Sequence, residues 1–481
     1  MTLETRLFIN NEYVPSISGK TFSVYNPTTE ELITDQVQAA MSEDVDKAVA
    51  AATAAFKVWR AKSSAERSAV MLKYADLIDA NIEKLASLET LCMGAPMSLA
   101  KQLVQTHSAS FRYYAGLTDK IHGQSYTEDA DGLLKLINYE PIGVCAGISA
   151  WNGTHMSLGW KIAPAVAAGN TILHKTSEKS PLSTLVLGNL IKEAGFPPGV
   201  INLLSGAGET GSLLASHMGI RKIAFTGSVG AGRKVQQAAT ASNLKHVTLE
   251  LGGKSPAIVF EDANIENALF HNSQLFLANN AQGCSTATRL FVHENIAPKF
   301  IEALKAQFER VTGLMGDPNE ESTWLGPMVD KAQRDRVYDY INGAKAEGIQ
   351  VLVGGGDVSR TGYYAAPTVF LNPGLDSRIY KEEIFGPVLI VRTFKTEDEV
   401  VELANDTEYG LSGTIFTSNI SRALKLASRL EVGTLSINGA HFPSKQTPWS
   451  GWKQSGYGGE GGLDALKEYL HTKSIHVHLN A

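Results

Sequence analysis

Val144-Cys-Ala-Gly-Ile-Ser-Ala-Trp-Asn152 is an apolar run of strand length that ends in a tryptophan and an asparagine. Four more runs of the same kind follow, at 171–174, 200–204, 222–226 and 246–251. Helical segments lie between them, near 157–168, 183–194, 209–217 and 231–241. Unbroken apolarity, rather than an alternation of apolar and polar residues, means strands covered on both faces. Strand and helix in strict turn means parallel crossovers, and together these features predict a doubly wound parallel sheet of the α/β class. Cys145 falls inside the first run and is expected to pack there.

Outward from this block the alternation resumes after Glu250 as a second α/β unit. It runs from Ser255-Pro-Ala-Ile-Val-Phe260 to about residue 437, with a long amphipathic helix at 296–311 and a strand at 388–394. Upstream, residues 6–36 read as short strands and turns. A helix should then start at Ser42 as its N-cap, with Glu43 and Asp44 in the first turn and Val45, Val49, Ala52, Phe56 and Trp59 on one face. The next opens with a capping box, Ser63 to Glu66, and carries Ile78, Ile82, Leu85, Leu88 and Cys92 in one stripe, so Cys92 reads as core. Two segments fit neither sheet: 131–139, with alternating character, and 474–479 near the end. Unpaired strands at such places are edge liabilities unless covered.

At 481 residues the chain can hold about three domains. Its formal charge of −6 is small for this size and is not gathered in blocks, so neither nucleic acid nor an anionic membrane is an expected partner. Three cysteines without metal-type spacing indicate a reducing compartment and no metal site. The N-terminal residues lack an apolar signal core, no window approaches a membrane span, and His-Leu-Asn-Ala at the end matches no retention tag. A cytoplasmic location follows as the expectation.

The chemistry concentrates in Asn279-Asn-Ala-Gln-Gly-Cys284-Ser-Thr-Ala-Thr-Arg289, at the far end of an apolar run expected to be helical over 269–277. A structural cysteine usually sits in an apolar stripe. Cys284 is flanked instead by glycine and small polar residues, where a tight backbone leaves sulfur facing a cavity and amides free. Such a setting suits a thiolate nucleophile with a depressed pKa. Upstream, Thr248-Leu-Glu250-Leu-Gly-Gly-Lys254 places one carboxylate at a strand end before a glycine turn.

These two stretches together resemble the aldehyde dehydrogenase superfamily, in its acid-forming branch, and the resemblance runs essentially end to end. It implies a division into an NAD-binding domain (1–122 and 141–252), a catalytic domain (253–447) and oligomerisation strands (123–140 and 465–481) that join a homodimer or homotetramer. It also implies that Cys284 attacks an aldehyde, that Asn152 and the Cys284 amide hold the resulting oxyanion, and that Glu250 activates the water that hydrolyses a thioester. Lys161, in the helix after Asn152, matches a lysine thought to support proton transfer.

For the cofactor two glycine turns compete. Gly206-Ala-Gly208-Glu-Thr-Gly211 fits the dinucleotide fingerprint formally, but follows the third strand rather than the first, and no acidic residue ends the next strand. Gly227-Ser228-Val-Gly-Ala-Gly232 also joins strand to helix, and it resembles the family's phosphate-contacting turn. Gly227, Ser228 and Gly232 are therefore assigned there, with Gly208 beside the adenine and Trp151 among the contacts. Lys175 and Glu178 match the pair that holds the adenosine ribose, although Thr176 replaces the usual intervening proline. A carboxylate there repels a 2′-phosphate, so NAD is expected over NADP. Glu383 and Phe385, in Glu382-Glu-Ile-Phe-Gly-Pro387, match the residues that hold the nicotinamide ribose and pack on the ring.

The substrate side departs from the common pattern. Gly153 stands where an aromatic wall is usual, and Ser157 where a larger apolar residue is common; Phe442 and Trp449 fall in the tunnel-closing loop. The expected substrate is a bulky or aromatic aldehyde, and without paired arginines a semialdehyde is disfavoured. Gly459 replaces a common arginine. Two alternatives differ in class. A CoA-acylating enzyme often lacks a glutamate at the position of Glu250, and a non-catalytic binding or structural protein has no need to retain Cys284, Glu250 and Asn152 together.

Overall fold

The computed structural model describes residues 3–127, 132–440 and 444–479. Its larger sheet has eight strands. The five runs read as parallel strands become Val144–Ile148, Thr171–Lys175, Ile201–Leu204, Lys222–Thr226 and His246–Glu250, all in parallel register. Their spatial order is third, second, first, fourth, fifth, so the chain reverses its direction of travel between the first and fourth strands. Ligands of open α/β sheets gather at that reversal, outside the carboxyl ends of the strands. Trp151 and Asn152 follow the first of these two strands, and Gly227 and Ser228 follow the other.

The sheet is extended at one edge by Leu7–Ile9 and Glu12–Val14, and at the other by Gly456–Tyr457, antiparallel to the strand that ends in Glu250. The second sheet has seven strands, with Pro256–Val259, Arg289–His293, Val388–Phe394 and Ser412–Phe416 parallel at its heart. The two leftover segments pair with each other: Leu470–His478 lies against Leu133–Pro141, which also pairs with Gln124–Tyr126. Residue 131 lies outside the described residues. Cys92 and Cys145 are both buried in apolar clusters. No helix among the described residues is long and apolar enough to cross a membrane.

Several helix limits differ from the sequence reading. The helix Ser42–Ala61 has Met41, not Ser42, as its N-cap, and the Asp44 carboxylate one turn in accepts from the Met41 amide at 2.9 Å. Asp44 also takes the Ser16 hydroxyl and the Ile17 amide, tying the helix start to the preceding segment. The capping box of Ser63 and Glu66 forms as read, but the stripe from Ile78 to Cys92 breaks at Asn81 into Ser64–Ala80 and Ile82–Met93. The amphipathic helix spans Ala297–Thr312.

Gly456 explains why the C-terminal segment can approach Glu250 so closely. Its φ is +117°, and a Cβ there would collide with the Leu249 carbonyl. Replacing it with alanine is expected to cost roughly 2–5 kcal/mol through overpacking and backbone strain together. The unfolding midpoint of Gly456→Ala should fall clearly below that of Gly459→Ala, whose added methyl meets only the Trp449 carbonyl, at 3.8 Å. Equal midpoints by calorimetry would show that this edge pairing is not under steric control.

Candidate active site

The loop that carries Cys284 is not a plain helix end. The helix Ile265–Phe270 loosens into a π-helical turn, His271–Leu275, and not the regular helix expected through residue 277. Asn279, Asn280 and Ala281 then take φ values of +53°. Asparagine tolerates this left-handed region, whereas Ala281 costs about 1–2 kcal/mol there. Side-chain bonds hold the turn in place: Asn280 donates to the Gly326 carbonyl, and Gln282 donates to the Asn279 carbonyl at 3.0 Å while accepting from the Val329 amide at 3.0 Å. π-Turns recur at functional sites because they re-aim the residues that follow.

Gly253 brings this loop onto the Glu250 turn. A Cβ on it would stand 2.5 Å from the Cys284 carbonyl oxygen, so only glycine lets the two backbones touch. The cavity they share is also lined by Asn152, Gly153, Ser157 and Trp449, and its empty space is ≈ 1310 Å³ including the open mouth. Four residues expected at the chemistry, Cys284, Glu250, Asn152 and Lys161, thus converge, three on the cavity wall and Lys161 behind it. Phe442 lies outside the described residues.

The electrostatics are unusual. Burial raises the Glu250 pKa well above the carboxylate range and the Glu460 charge adds to this, while Lys161 and a hydrogen bond from the Trp449 side chain oppose it. Glu250 Oε1 is buried and has no hydrogen-bond partner among the described residues. Lys161 is fully buried; its ammonium pairs with Glu460 and donates to the Thr226 hydroxyl at 2.6 Å.

Cys284 corrects the expectation of a depressed pKa. Burial, with the Glu250 and Glu383 charges, pushes its thiol up to about 12 against the amides of Ser285 and Cys284, which favour the thiolate. Two amides do not outweigh burial and two carboxylates. Asn152 Nδ2 donates to the Gln282 carbonyl at 3.0 Å, which ties it to the cysteine loop and leaves its second N–H uncommitted to that carbonyl.

The residues expected at a dinucleotide lie around the ends of the first sheet. Lys175 ends its strand with Nζ 3.4 Å from Glu178, and burial lowers its pKa. Ser228 caps the helix Val229–Ser242 by accepting from the Ala231 amide at 3.4 Å. Gly227 and Gly232 are packing positions as well: a Cβ on either would meet, at 2.6 Å, the Phe225 ring or Leu251 respectively. Gly232 therefore serves helix-to-strand packing, a need the sequence pattern does not separate from phosphate binding. Gly208 begins a helix and has open space where its Cβ would be. Glu383 accepts from the Gly253 amide at 3.0 Å, and burial pushes its pKa up to about 7. Phe385, strained at φ +59°, sets its ring 5.3 Å from that of Trp151.

Sequence reasoning missed Glu460 and His271, both on the cavity wall. Glu460 sits among glycines, where nothing announces a buried partner, and His271 gains its position only through the π-turn.

Residues 13–475 of this chain match the family model described as "Aldehyde dehydrogenase family". An aldehyde dehydrogenase of Emericella nidulans is 45% identical over 475 residues, covering 98% of this chain and 95% of that protein. Retinal dehydrogenase 2 of Homo sapiens is 45% identical over 478 residues, covering 98% and 92%. The NAD+ complex of an aldehyde dehydrogenase from Bacillus cereus superposes with a TM-score of 0.96 at 41% identity, covering 99% of this chain and 97% of that one. With this match along its length and this fold, the protein belongs to the aldehyde dehydrogenase family and is an oxidoreductase acting on aldehydes.

Proposed function

We propose that the protein oxidises bulky, largely apolar aldehydes to carboxylates with NAD, through covalent catalysis at Cys284. The observation that carries this reading is the convergence of Cys284, Asn152 and Glu250 on one cavity, with a buried carboxylate oxygen of Glu250 left unpartnered. The residues present fit a dinucleotide. The open space at Gly208 suits an adenine, the Ser228 helix terminus a pyrophosphate, and the Lys175–Glu178 and Glu383 carboxylates the two riboses. NAD, when bound, supplies the hydride acceptor.

As sulfur bonds to the aldehyde carbon, the Cys284 thiol gives its proton to water in the cavity, so Glu250 stays the base for the later hydrolysis. The oxyanion so formed is stabilised by Asn152 Nδ2–H and the Cys284 amide. Loss of hydride from the tetrahedral carbon leaves a thioester on Cys284. Glu250 then takes a proton from water, the water oxygen attacks the acyl carbon, and the cysteine sulfur leaves. Water rather than CoA is the proposed acyl acceptor, because a glutamate at the position of Glu250 is often lacking in CoA-acylating enzymes. The three-stranded sheet that contains Leu470–His478 is proposed to join subunits into a homodimer or homotetramer.

Rapid mixing of Glu250→Gln with aldehyde and NAD should give a burst of about one NADH per site and then slow turnover. A vanished burst would move Glu250 to a step before the thioester.

For cofactor choice, Glu178→Ser should raise kcat/KM for NADP relative to NAD. Because Glu178 is 43% exposed and screened, the change should be about 1 kcal/mol, or roughly fivefold. An unchanged ratio would place the 2′ position elsewhere.

Gly153 lines the cavity, and Met156 is the neighbour nearest to its missing Cβ, at 3.2 Å. Gly153→Phe should depress kcat/KM for aromatic aldehydes while sparing propanal, and by more than the about 1–3 kcal/mol of one methylene, since exclusion is steric. Equal losses with both substrates would refute the bulky-substrate reading.

A further inference from the structure

His271 lies on the cavity wall, and together with Glu250, Cys284 and Glu460 it makes up the titratable groups among the described lining residues. Its ring is held on two sides. It packs against Phe416, with ring centroids 5.8 Å apart, and against Phe270 at 5.4 Å. Nδ1 accepts from the Ala440 amide at 3.0 Å. Phe416 and Ala440 line the same cavity, so the imidazole is fixed in its wall.

The hydrogen bond from Ala440 settles the tautomer. A backbone amide can only donate, so Nδ1 must be the bare nitrogen and the proton of a neutral ring must sit on Nε2. Partial burial lowers the His271 pKa below that of a free imidazole, which keeps the ring neutral at pH 7. Nε2 has no protein acceptor among the described residues. The side-chain amides of Asn272, Asn279 and Gln282 each donate to one backbone carbonyl, those of Ala268, Asn152 and Asn279.

We infer that His271 Nε2–H is a specificity determinant that donates a hydrogen bond to an uncharged oxygen acceptor at the end of the substrate remote from its aldehyde group. This inference rests on the tunnel reading above and extends it. The substrate class becomes bulky aldehydes with a distal carbonyl, ether or hydroxyl oxygen. A distal carboxylate fits worse, because the described lining residues include no cation but do include Glu250 and Glu460, and the wall would strip an anion of water for one neutral donor. A purely apolar aldehyde forgoes this hydrogen bond and so gains less from the same wall.

The test uses shape-matched aldehydes with the wild-type enzyme, His271→Phe and His271→Gln. One pair is 4-acetylbenzaldehyde and 4-isopropylbenzaldehyde; the other is 6-oxoheptanal and 6-methylheptanal. The quantity read is the ratio of kcat/KM within a pair, so differences in intrinsic aldehyde reactivity cancel between variants. In at least one pair, His271→Phe should lower the ratio about 2–10-fold, the loss of one neutral hydrogen bond, and the change should fall in KM with kcat nearly constant. His271→Gln, which keeps a donor, should lie between. Both replacements are uncharged, so the field at Glu250 is undisturbed, and a shared unfolding midpoint shows that the variants are folded. A ratio that His271→Phe leaves unchanged in both pairs overturns the inference. Wild-type oxidation of the two acceptor-free aldehydes reads the proposed function separately; failure to oxidise any of the four overturns that reading and this one with it.

Discussion

A buried ion pair holds the centre of the molecule. Lys161 comes from the helix that follows Asn152, Glu460 from the C-terminal segment, and the Thr226 hydroxyl that shares the ammonium ends the fourth parallel strand. Three elements far apart in sequence are thereby tied at the reversal point of the sheet. Removing one partner of such a pair leaves an uncompensated charge and typically costs about 3–5 kcal/mol, whereas replacing both by apolar residues can be harmless. The pair is therefore weak as a source of stability and strong as a source of registry.

The same pair governs the chemistry beside it. Burial raises the pKa of Glu250, Glu460 adds to this and Lys161 opposes it, so the proposed base answers to both members of the pair as well as to its own burial. Burial, helped by the Glu250 and Glu383 charges, in turn pushes the Cys284 pKa up toward the thiol form. The result is a site whose proposed nucleophile is held toward the thiol, the form less reactive than a thiolate. Close backbone approaches make this arrangement possible. Gly253 lets the Cys284 loop touch the Glu250 turn, and Gly456 lets the C-terminal strand lie against Glu250 itself. Ser455 locks that contact, donating to the Gly252 carbonyl at 2.7 Å and accepting from the Gly410 amide at 2.9 Å.

Much of this was legible in the chain alone. The five unbroken apolar runs between 144 and 251 dictated a parallel sheet covered on both faces, because burial on two sides leaves no place for polar alternation. Glycine-rich turns after strands marked where ligands could approach the backbone, and the small polar surroundings of Cys284 marked it as no ordinary core cysteine. These are local properties, set by side chains within a few residues of one another. They could not reveal that Asp44 anchors the helix start by binding Ser16 and Ile17, since those arrive from another segment.

What only the tertiary structure decided is everything that depends on distance across the chain. Glu460 pairs with Lys161 although 299 positions separate them, and no periodicity encodes such a partner. The pKa of Cys284 moved opposite to its local expectation because burial and two remote carboxylates outweigh two neighbouring amides. Gly232 turned out to pack on Leu251, and His271 reached the cavity through a π-turn whose sequence reads as plain helix. Sequence dictates which groups exist and which backbone shapes they favour; electrostatic energy depends on how far apart those groups finish and how dry the space between them is, and only folding sets both.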